Sequence, residues 1–573
     1  MKRIVFLLTA FLFLPALIAV AQEPANPKRE GAITGRVIAA DSQPVAGARV
    51  IVASKSGAIV MPQMLVCDDE GNFKATGLNP GAYAVLAQMP GYVTLSNSSE
   101  PPRYRVGDHA TITLIKGGVI TGRVTDEFGE LATGVPVHAV KTRNEDGSPE
   151  RGGASLGTGL GMGGAGETDD RGVYRIYGVE PGQYVVSANS LPFSVEGMIR
   201  PRREQAIYYP SSPRSGATEI AVRGGEEVTG IDIRHRLLRG HAISGTLSGD
   251  VEGEGFLGGI AVILTSAASR QPAGMAMSLG DRKFMLGGVE DGDYDLSAMR
   301  VSGNMEFALS VPRRIRVGGA DFSGIDLKLL KLGAITGRVV IESTAEAAGR
   351  CKSADEAVIE EILLDAARDE KTPSLFESLD PRNETSLGGF SAVPDKSGAF
   401  TAKNLEPGRV RLVADLPGEG WYVRAITQAA SPKPLDVGQN GIAVKSGEKL
   451  SGVEVRIAEG AASLGGKLVP TNDAAKLPKR MRVHLIPAEA GAASDVLRYA
   501  ETIVDGEGLF AFKHLAPGKY WLLARPAAES AARPLAWDAA ERAKLRREAE
   551  AAKNEIDLKP CGRVTGHGLR VTR

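Results

Sequence analysis

Seven histidines, three cysteines and a few acidic clusters are the side chains with which this sequence could do chemistry. A catalytic zinc site needs three protein ligands, mostly His and Glu, and one open coordination position. The histidines are His109, His138, His235, His241, His484, His514 and His567; none begins a His-x-x-Glu and no two form a His-x-x-x-His. They fall far apart, on expected strands and turns, so no metal site is assigned. Gly153-Ala154-Ser155-Leu156-Gly157 matches the G-x-S-x-G nucleophile elbow, and Gly159-x-Gly161-x-x-Gly164 matches a dinucleotide fingerprint. The elbow needs a strand before it and a helix after it, and the fingerprint needs a βαβ unit. Both matches share one Gly-rich run without either context, which reads as a loop. Asp68-Asp69-Glu70, Asp169-Asp170 and Asp395 offer carboxylates. Calcium takes about six to eight oxygens, more than any of these stretches supplies, so turn chemistry is the better account. No catalytic residue, metal or cofactor is therefore assigned.

Two binding features remain. Sugar recognition needs exposed aromatic platforms, for which the candidates are Tyr208, Tyr209, Trp421, Tyr422 and Trp521. The competing use of an aromatic is packing inside the chain. Trp521 alternates with Tyr520 and Leu522, so it faces outward or toward a neighbour. Among the cysteines, an odd count leaves one unpaired. Cys351 with Cys561 is the preferred disulfide, tying the C-terminus back to an earlier part of the chain, while Cys67 sits just before a turn.

The elements that must position these residues follow from a repeat. Searching for one comes first because missing it misreads the whole fold. One phrase recurs as GAITGRV from Gly31, GVITGRV from Gly118, HAISGTL from His241, GAITGRV from Gly333 and, worn, ASLGGKL from Ala462. A second phrase follows each: Asp-x-x-Gly-x-aromatic, an aliphatic residue, then x-Pro-Gly-x-Tyr. The first copy supplies Asp68, Gly71, Phe73, Leu78, Pro80, Gly81 and Tyr83. The second supplies Asp169, Gly172, Tyr174, Val179, Pro181, Gly182 and Tyr184. The third keeps Phe284, Val289, Gly292 and Tyr294; the fourth has Asp395, Gly398, Phe400, Leu405, Pro407 and Gly408 with Val410 at the Tyr position. The fifth has Asp505, Gly508, Phe510, Leu515, Pro517, Gly518 and Tyr520.

Physically, the first phrase alternates with period two, so Ile120, Gly122 and Val124 share a strand face. Asp-x-x-Gly is a tight hairpin turn, in which Asp accepts from backbone two residues on and Gly takes positive φ. Pro-Gly is another turn. Tyr-x-aliphatic-x-Ala after it again alternates, as in Tyr83, Val85 and Ala87. Short alternating strands with regular turn signals indicate a β-sandwich. A further strand precedes each new copy, as at 110–115, 228–233, 322–327 and 450–457, which implies strand-to-strand joints and a stiff or gently bent row of modules. Insertions fall at 151–166, 192–213 and about 343–390. Trp537–Ala552 is rich in helix formers, and Asp538 with Glu541 has capping-box spacing, so it reads as a helix. Residues 354–370 are rich in Ala, Glu and Leu, yet the repeat wants a strand near 358–364; both readings stand.

Length and composition agree. At about 100–200 residues per domain, 573 residues imply several domains. With 68 basic and 68 acidic residues, the chain is not a strongly cationic nucleic-acid binder, and three cysteines do not make a disulfide-dense scaffold. At the N-terminus, Lys2 and Arg3 precede an apolar run from Ile4 to Ala21, ending in Ala19-Val20-Ala21. This is a signal-peptide pattern. Cleavage leaves 66 basic against 68 acidic residues, a net charge of −2, and no second long apolar stretch.

These phrases resemble the carboxypeptidase regulatory-like domain family over nearly all of residues 31–526. The resemblance implies an all-β fold: five tandem transthyretin-like β-sandwich modules as beads on a string, here with one C-terminal helix. It also implies kinship with the B-type repeats of bacterial collagen adhesins and with the starch-binding-like fold. It carries no activity, because fold analogy does not supply one. The adhesin-like relatives often form a Lys–Asn isopeptide bond from the first strand. That strand has Arg36, Arg123 and Arg338 here, and Arg stays protonated; Lys467 is the remaining amine. The expected limits are a signal peptide at 1–21 and modules at 22–117, 118–239, 240–332, 333–459 and 460–573, with a helix at 537–552. The expected function is a non-catalytic, exported interaction or spacer protein of the cell envelope, located in the periplasm, on the surface or outside. Its expected partner is an envelope protein or a polysaccharide, with no nucleic acid. The alternatives are a carbohydrate-binding protein and an accessory module protein of a carboxypeptidase-like system.

Overall fold

A computed structural model of the chain describes residues 31–55, 61–94, 102–145, 147–150, 164–188, 204–236, 238–250, 259–303, 305–342, 358–369, 375, 391–430, 433–470, 480–504, 507–527 and 534–571. The described residues are mostly strands, with helices only at Val437–Asn440 and Ala539–Ala552 beyond single 3-10 turns. Five main hydrophobic cores follow one another along the chain, centred on Ile33, Ile120, Ile243, Ile335 and Leu464. These are the expected five β-sandwich modules.

Each is built around its opening strand. In module 1, Ile33–Ala39 pairs antiparallel with Asn72–Ala75 on one side and parallel with His109–Lys116 on the other. The second sheet has the order Gln63–Val66, Arg49–Ser54, Ala82–Gln88, Arg103–Arg105. The parallel closure recurs in every module. So the strand read as preceding each new module is the last strand of its own. The joints are as short as expected: Phe322–Lys331 passes to Gly333–Glu342 across Leu332 alone. Module 3 departs from two separate sheets. Its Phe307–Ser310 pairs with both Gly292–Val301 and Phe322–Lys331, making one continuous rolled sheet.

The repeated residues have packing reasons. The glycine of each opening strand stands opposite the aromatic of the second phrase: Gly35 with Phe73, Gly122 with Tyr174, Gly245 with Phe284, Gly337 with Phe400, Gly466 with Phe510. In four modules the ring lies across the glycine, and in all five the closing strand's carbonyl approaches it. A Cβ on Gly35 would sit 2.4 Å from the Phe73 ring and 2.2 Å from the Ala110 oxygen. The tyrosine after Pro-Gly, or after Asp291-Gly292 in module 3, closes its turn by donating its hydroxyl to the carbonyl four residues back. Tyr83 reaches Asn79, Tyr184 reaches Glu180, Tyr294 reaches Glu290 and Tyr520 reaches Ala516, at 2.6–3.0 Å. Module 4, with Val410, buries an aliphatic side chain there instead.

The helix is where the capping signal placed it. Asp538 accepts from the Ala540 and Glu541 amides, and Leu545 and Ala549 pack against Ile486 and Leu523 of module 5. The ambiguous stretch is a single 3-10 turn at Ile359–Glu361 and then a strand at Leu363–Arg368. A strand does form, but later than the expected 358–364, which it overlaps only at 363 and 364; there pairing with Gly408–Asp415 overrides the helical composition, and residues 354–357 and 370 lie outside the described residues. The modules do not form an open row touching only sequence neighbours. Module 1 also meets module 4, through arginines and aspartates more than 250 residues apart.

Candidate functional site

The aromatic candidates are engaged within the chain. Trp421 is 7% exposed and belongs to the core of module 4, so it is not a surface platform. It opens the strand Trp421–Gln428, whose alternation turns its ring inward, and Tyr422 beside it is half-buried. Tyr209 packs against the module 2 core, and its amide donates to the Val186 carbonyl. Tyr208 lies at the junction of modules 2 and 3. The Arg214 guanidinium sits 5.5 Å from its ring centre and donates to its hydroxyl at 3.4 Å. Arg214 also donates to the Gln271 side chain, whose amide reaches the Lys141 carbonyl. The Glu290 carboxylate of module 3 accepts from the Arg214 backbone amide, and burial pushes that carboxyl above the ordinary range. Trp521 faces a neighbour, as its alternation requires. It packs in the cluster under the C-terminal helix, with the Arg546 guanidinium 5.1 Å from its ring centre. Tyr208 thus holds a module junction and Trp521 the helix, while Trp421 and Tyr209 pack within their own modules, the competing use of such side chains.

A second cluster joins three modules. Arg103 and Arg105 alternate on the edge strand Arg103–Arg105 and therefore project to one side, while Tyr104 between them packs on the module 1 core. Arg103 donates to Asp365 and to Asp415 of module 4, each at 3.2 Å. Arg105 lies 3.1 Å from Asp415 and donates to the Glu361 carbonyl at 3.3 Å. Ser391 holds the other oxygen of Asp365 at 2.6 Å. From module 5, the His514 ring meets the Trp421 carbonyl at 2.9 Å, near Asp415 and Arg105. Burial pushes the His514 imidazole below its ordinary pKa of 6.5.

The acidic turns are turns. One oxygen of Asp68 accepts from the amides of Glu70 and Asn72, one of Asp169 from Arg171 and Val173, and one of Asp395 from Ser397 and Ala399. The Val173 amide, with Arg171, holds the Asp169 carboxyl below its ordinary range; the Ser397 hydroxyl and Ala399 amide do the same for Asp395. Among the described residues no group of three His, Cys, Asp or Glu side chains is placed to hold a metal. His484 lies 3.3 Å from Glu501, which also pairs with Arg482. Lys467 points outward from its strand and is exposed. A groove of about 1240 Å³ lies between modules 3 and 4. Its floor is the outward face of the opening sheet of module 4, with Thr336, Arg338, Thr401, Lys403 and Glu454, a hydroxyl-rich surface carrying both charges. Cys67 is free and buried, and Cys561 is disulfide-bonded. The N-terminal apolar run, the glycine matches at 153–163, Cys351 and Asp505 lie outside the described residues.

Sequence reasoning passed over two residues, Asn404 and His514. Both occupy the position just before the aliphatic residue of the second phrase, at φ of 60° and 56°, where modules 1 to 3 have Gly77, Gly178 and Gly288 at 66–72°. The Asn404 side chain accepts from the Phe307 amide and donates to the Met305 carbonyl of module 3, both at 2.9 Å. His514 reaches module 4. The available signal was an Asn and a His where three copies have Gly, since both tolerate the left-handed region.

Comparison with known proteins covers part of this chain. No curated protein matches it. Among solved structures it is similar to the Bacillus anthracis TIE protein, at 14% identity and a TM-score of 0.14, covering 52% of this chain and 50% of that one. The chain thus spans half the length of that relative. The minor pilin GBS52 of Streptococcus agalactiae is 14% identical, with a TM-score of 0.19, over 36% of this chain and 97% of its own. BcpA, the major pilin subunit of Bacillus cereus, is 9% identical, with a TM-score of 0.14, over 53% of this chain and all of its own. The family model described as carboxypeptidase regulatory-like domain matches residues 32–114. That match spans the body of module 1, whose glycine–aromatic pair and parallel closing strand recur in the four modules after it.

Proposed function

We propose that this chain is a non-catalytic, exported interaction or spacer protein of the cell envelope, built from modules at 22–117, 118–239, 240–332, 333–459 and 460–573. One observation supports this reading above others. The side chains best suited to chemistry are already engaged in holding turns and module junctions: the turn aspartates by backbone amides, Tyr208 by Arg214, His514 by the Trp421 carbonyl. Export rests on the N-terminal pattern of Lys2, Arg3 and the apolar run to Ala21, with the periplasm, surface or exterior as destination. No described helix is long and apolar enough to cross a membrane. The partner is an envelope protein or a polysaccharide. The test is to assay the exported chain for peptide and glycan hydrolysis and on a glycan array. No turnover is expected, and turnover abolished by a point substitution would sink the reading. Glycan binding lost in Tyr208→Ala or Tyr422→Ala would replace it with the carbohydrate-binding alternative.

The disulfide belongs to the same reading. Cys561 is bonded and Cys67 is free, which leaves Cys351 as its proposed partner. The Cys561 amide donates to the carbonyl of Gly460, the residue joining modules 4 and 5. A bond there ties the closing loop of module 5 to the insertion of module 4. Peptide mapping without reductant is expected to recover the two cysteines in one linked species; free thiols at both would remove the pair.

A further inference from the structure

We propose that module 1 is held against module 4 by a reversible ionic latch, so that the chain has a closed and an open arrangement. The contact joins residues 262 and 312 positions apart, and among the described residues it closes modules 1 to 4 into a ring. Its chemistry differs from that of the joints on either side of module 4. At the joint of modules 3 and 4, Leu332 and Leu375 pack against a cluster containing Ile263 and Phe307. At the joint of modules 4 and 5, Leu497 packs against the core of module 4. Among the described residues, no hydrophobic cluster contains side chains of both module 1 and module 4.

What holds module 1 is charge, with one hydrogen bond from the Arg105 Nε to the Glu361 carbonyl beside it. Arg103 bridges Asp365 and Asp415, and Arg105 adds a second contact to Asp415. The side chains keep 17–33% of their exposure, although the Arg105 Nη2 that faces Asp415 is itself shielded from solvent. The Nη2 of Arg105 lies 3.1 Å from Asp415 without forming a hydrogen bond of good geometry, so that attraction is coulombic, and because the pair is partly buried salt weakens it only in part. The strand bearing both arginines is an edge strand, paired only with Ala82–Gln88, so releasing it from module 4 breaks no sheet. The open form presents Asp365 and Asp415 to solvent.

Small-angle scattering of the full exported chain tests this. From about 0.01 M to about 1 M salt the screening length falls from roughly 30 to roughly 3 Å. The maximum dimension is expected to grow across that range by roughly one module width, on the order of 30 Å. Arg103→Glu with Arg105→Glu is expected to give the extended form at low salt. Adding Asp365→Arg and Asp415→Arg is expected to restore the compact one. Asp365→Asn with Asp415→Asn removes the same pairs from the other side, should the arginine variant fold poorly, and circular dichroism verifies the modules in each. A maximum dimension that is unchanged by salt and by both sets of variants would overturn the latch. A charge swap that fails to restore compaction would overturn the assigned pairs.

Discussion

Modules 1 to 3 and modules 4 and 5 use one turn position differently. Gly77, Gly178 and Gly288 hold a left-handed residue in the first three; Asn404 and His514 hold it in the last two. The exchange is sterically open. A Cβ on Gly77 or Gly178 would meet nothing within 4 Å. The side chain so gained reaches the preceding module: Asn404 takes two backbone groups of module 3, and His514 takes the Trp421 carbonyl of module 4. A repeated fold thus acquires a specific joint at a place where the bare module has only a backbone requirement. The opening-strand glycine is the opposite case, kept in all five modules because there is no room for anything else.

The largest effect should come from breaking that second rule. On Gly122, a Cβ would lie 2.0 Å from the Ile231 carbonyl oxygen of the closing strand. The obstacle is backbone, so the strand pair must separate. Gly122→Val is expected to cost more than about 3 kcal/mol, the upper end of ordinary overpacking, and to unfold module 2 locally. Gly337→Val should do the same in module 4, where the Val453 oxygen is 2.1 Å away. Limited proteolysis with mass mapping reads which module opens. Resistance equal to wild type in both variants would mean that the glycine is a habit of the repeat and not a steric requirement.

A smaller effect sharpens the first contrast. Asn404→Gly turns the module 4 position into that of modules 1 to 3. Glycine accepts the left-handed φ without strain, so the turn itself should survive. The two Asn404 hydrogen bonds to the Phe307 amide and the Met305 carbonyl are lost, at a cost of about 0.5–1.5 kcal/mol each. Calorimetry should show modules 3 and 4 melting as less coupled units, with the module 4 strands intact by circular dichroism. Unaltered coupling would assign the joint to Leu332 and Leu375 instead.

Much of each module was legible, and the reasons are local. Period-two alternation, Asp-x-x-Gly and the Asp538 cap act within a few residues, so their signals are complete in a short window. The glycine–aromatic pair was present in both phrases, yet only the antiparallel register places one over the other. The junctions were not legible. Arg103, Asp365 and Asp415 carry no local signal of meeting, being hundreds of residues apart. Trp421 misled because it lies outside the repeated phrases, where alternation alone does not say which face is the core. Module 3 lost its Asp-x-x-Gly turn in sequence but kept the shape, with Arg282 taking the left-handed φ of 56°.

The subtlest difference between Asn404 and His514 is that only one of them titrates. The Trp421 carbonyl can only accept, so the His514 Nδ1 carries the proton in this contact. Burial is the main cause of its lowered pKa, and Lys513 and Arg105 lower it further, while the Trp421 contact and Asp415 oppose them. A histidine whose folded pKa lies below the unfolded value of 6.5 binds its proton less readily when folded. Its contribution is present above the unfolded value and is lost as pH falls through the folded one. The joint of modules 4 and 5 should therefore weaken on acidification from about pH 7 to about pH 5, the range over which histidine changes charge. His514→Asn keeps a donor for the Trp421 carbonyl, suits the left-handed backbone and does not titrate. It is expected to flatten the pH dependence of the module 5 melting transition over that range while leaving its neutral-pH midpoint close to that of the wild type. An unchanged slope in the variant would transfer the acid sensitivity to another group.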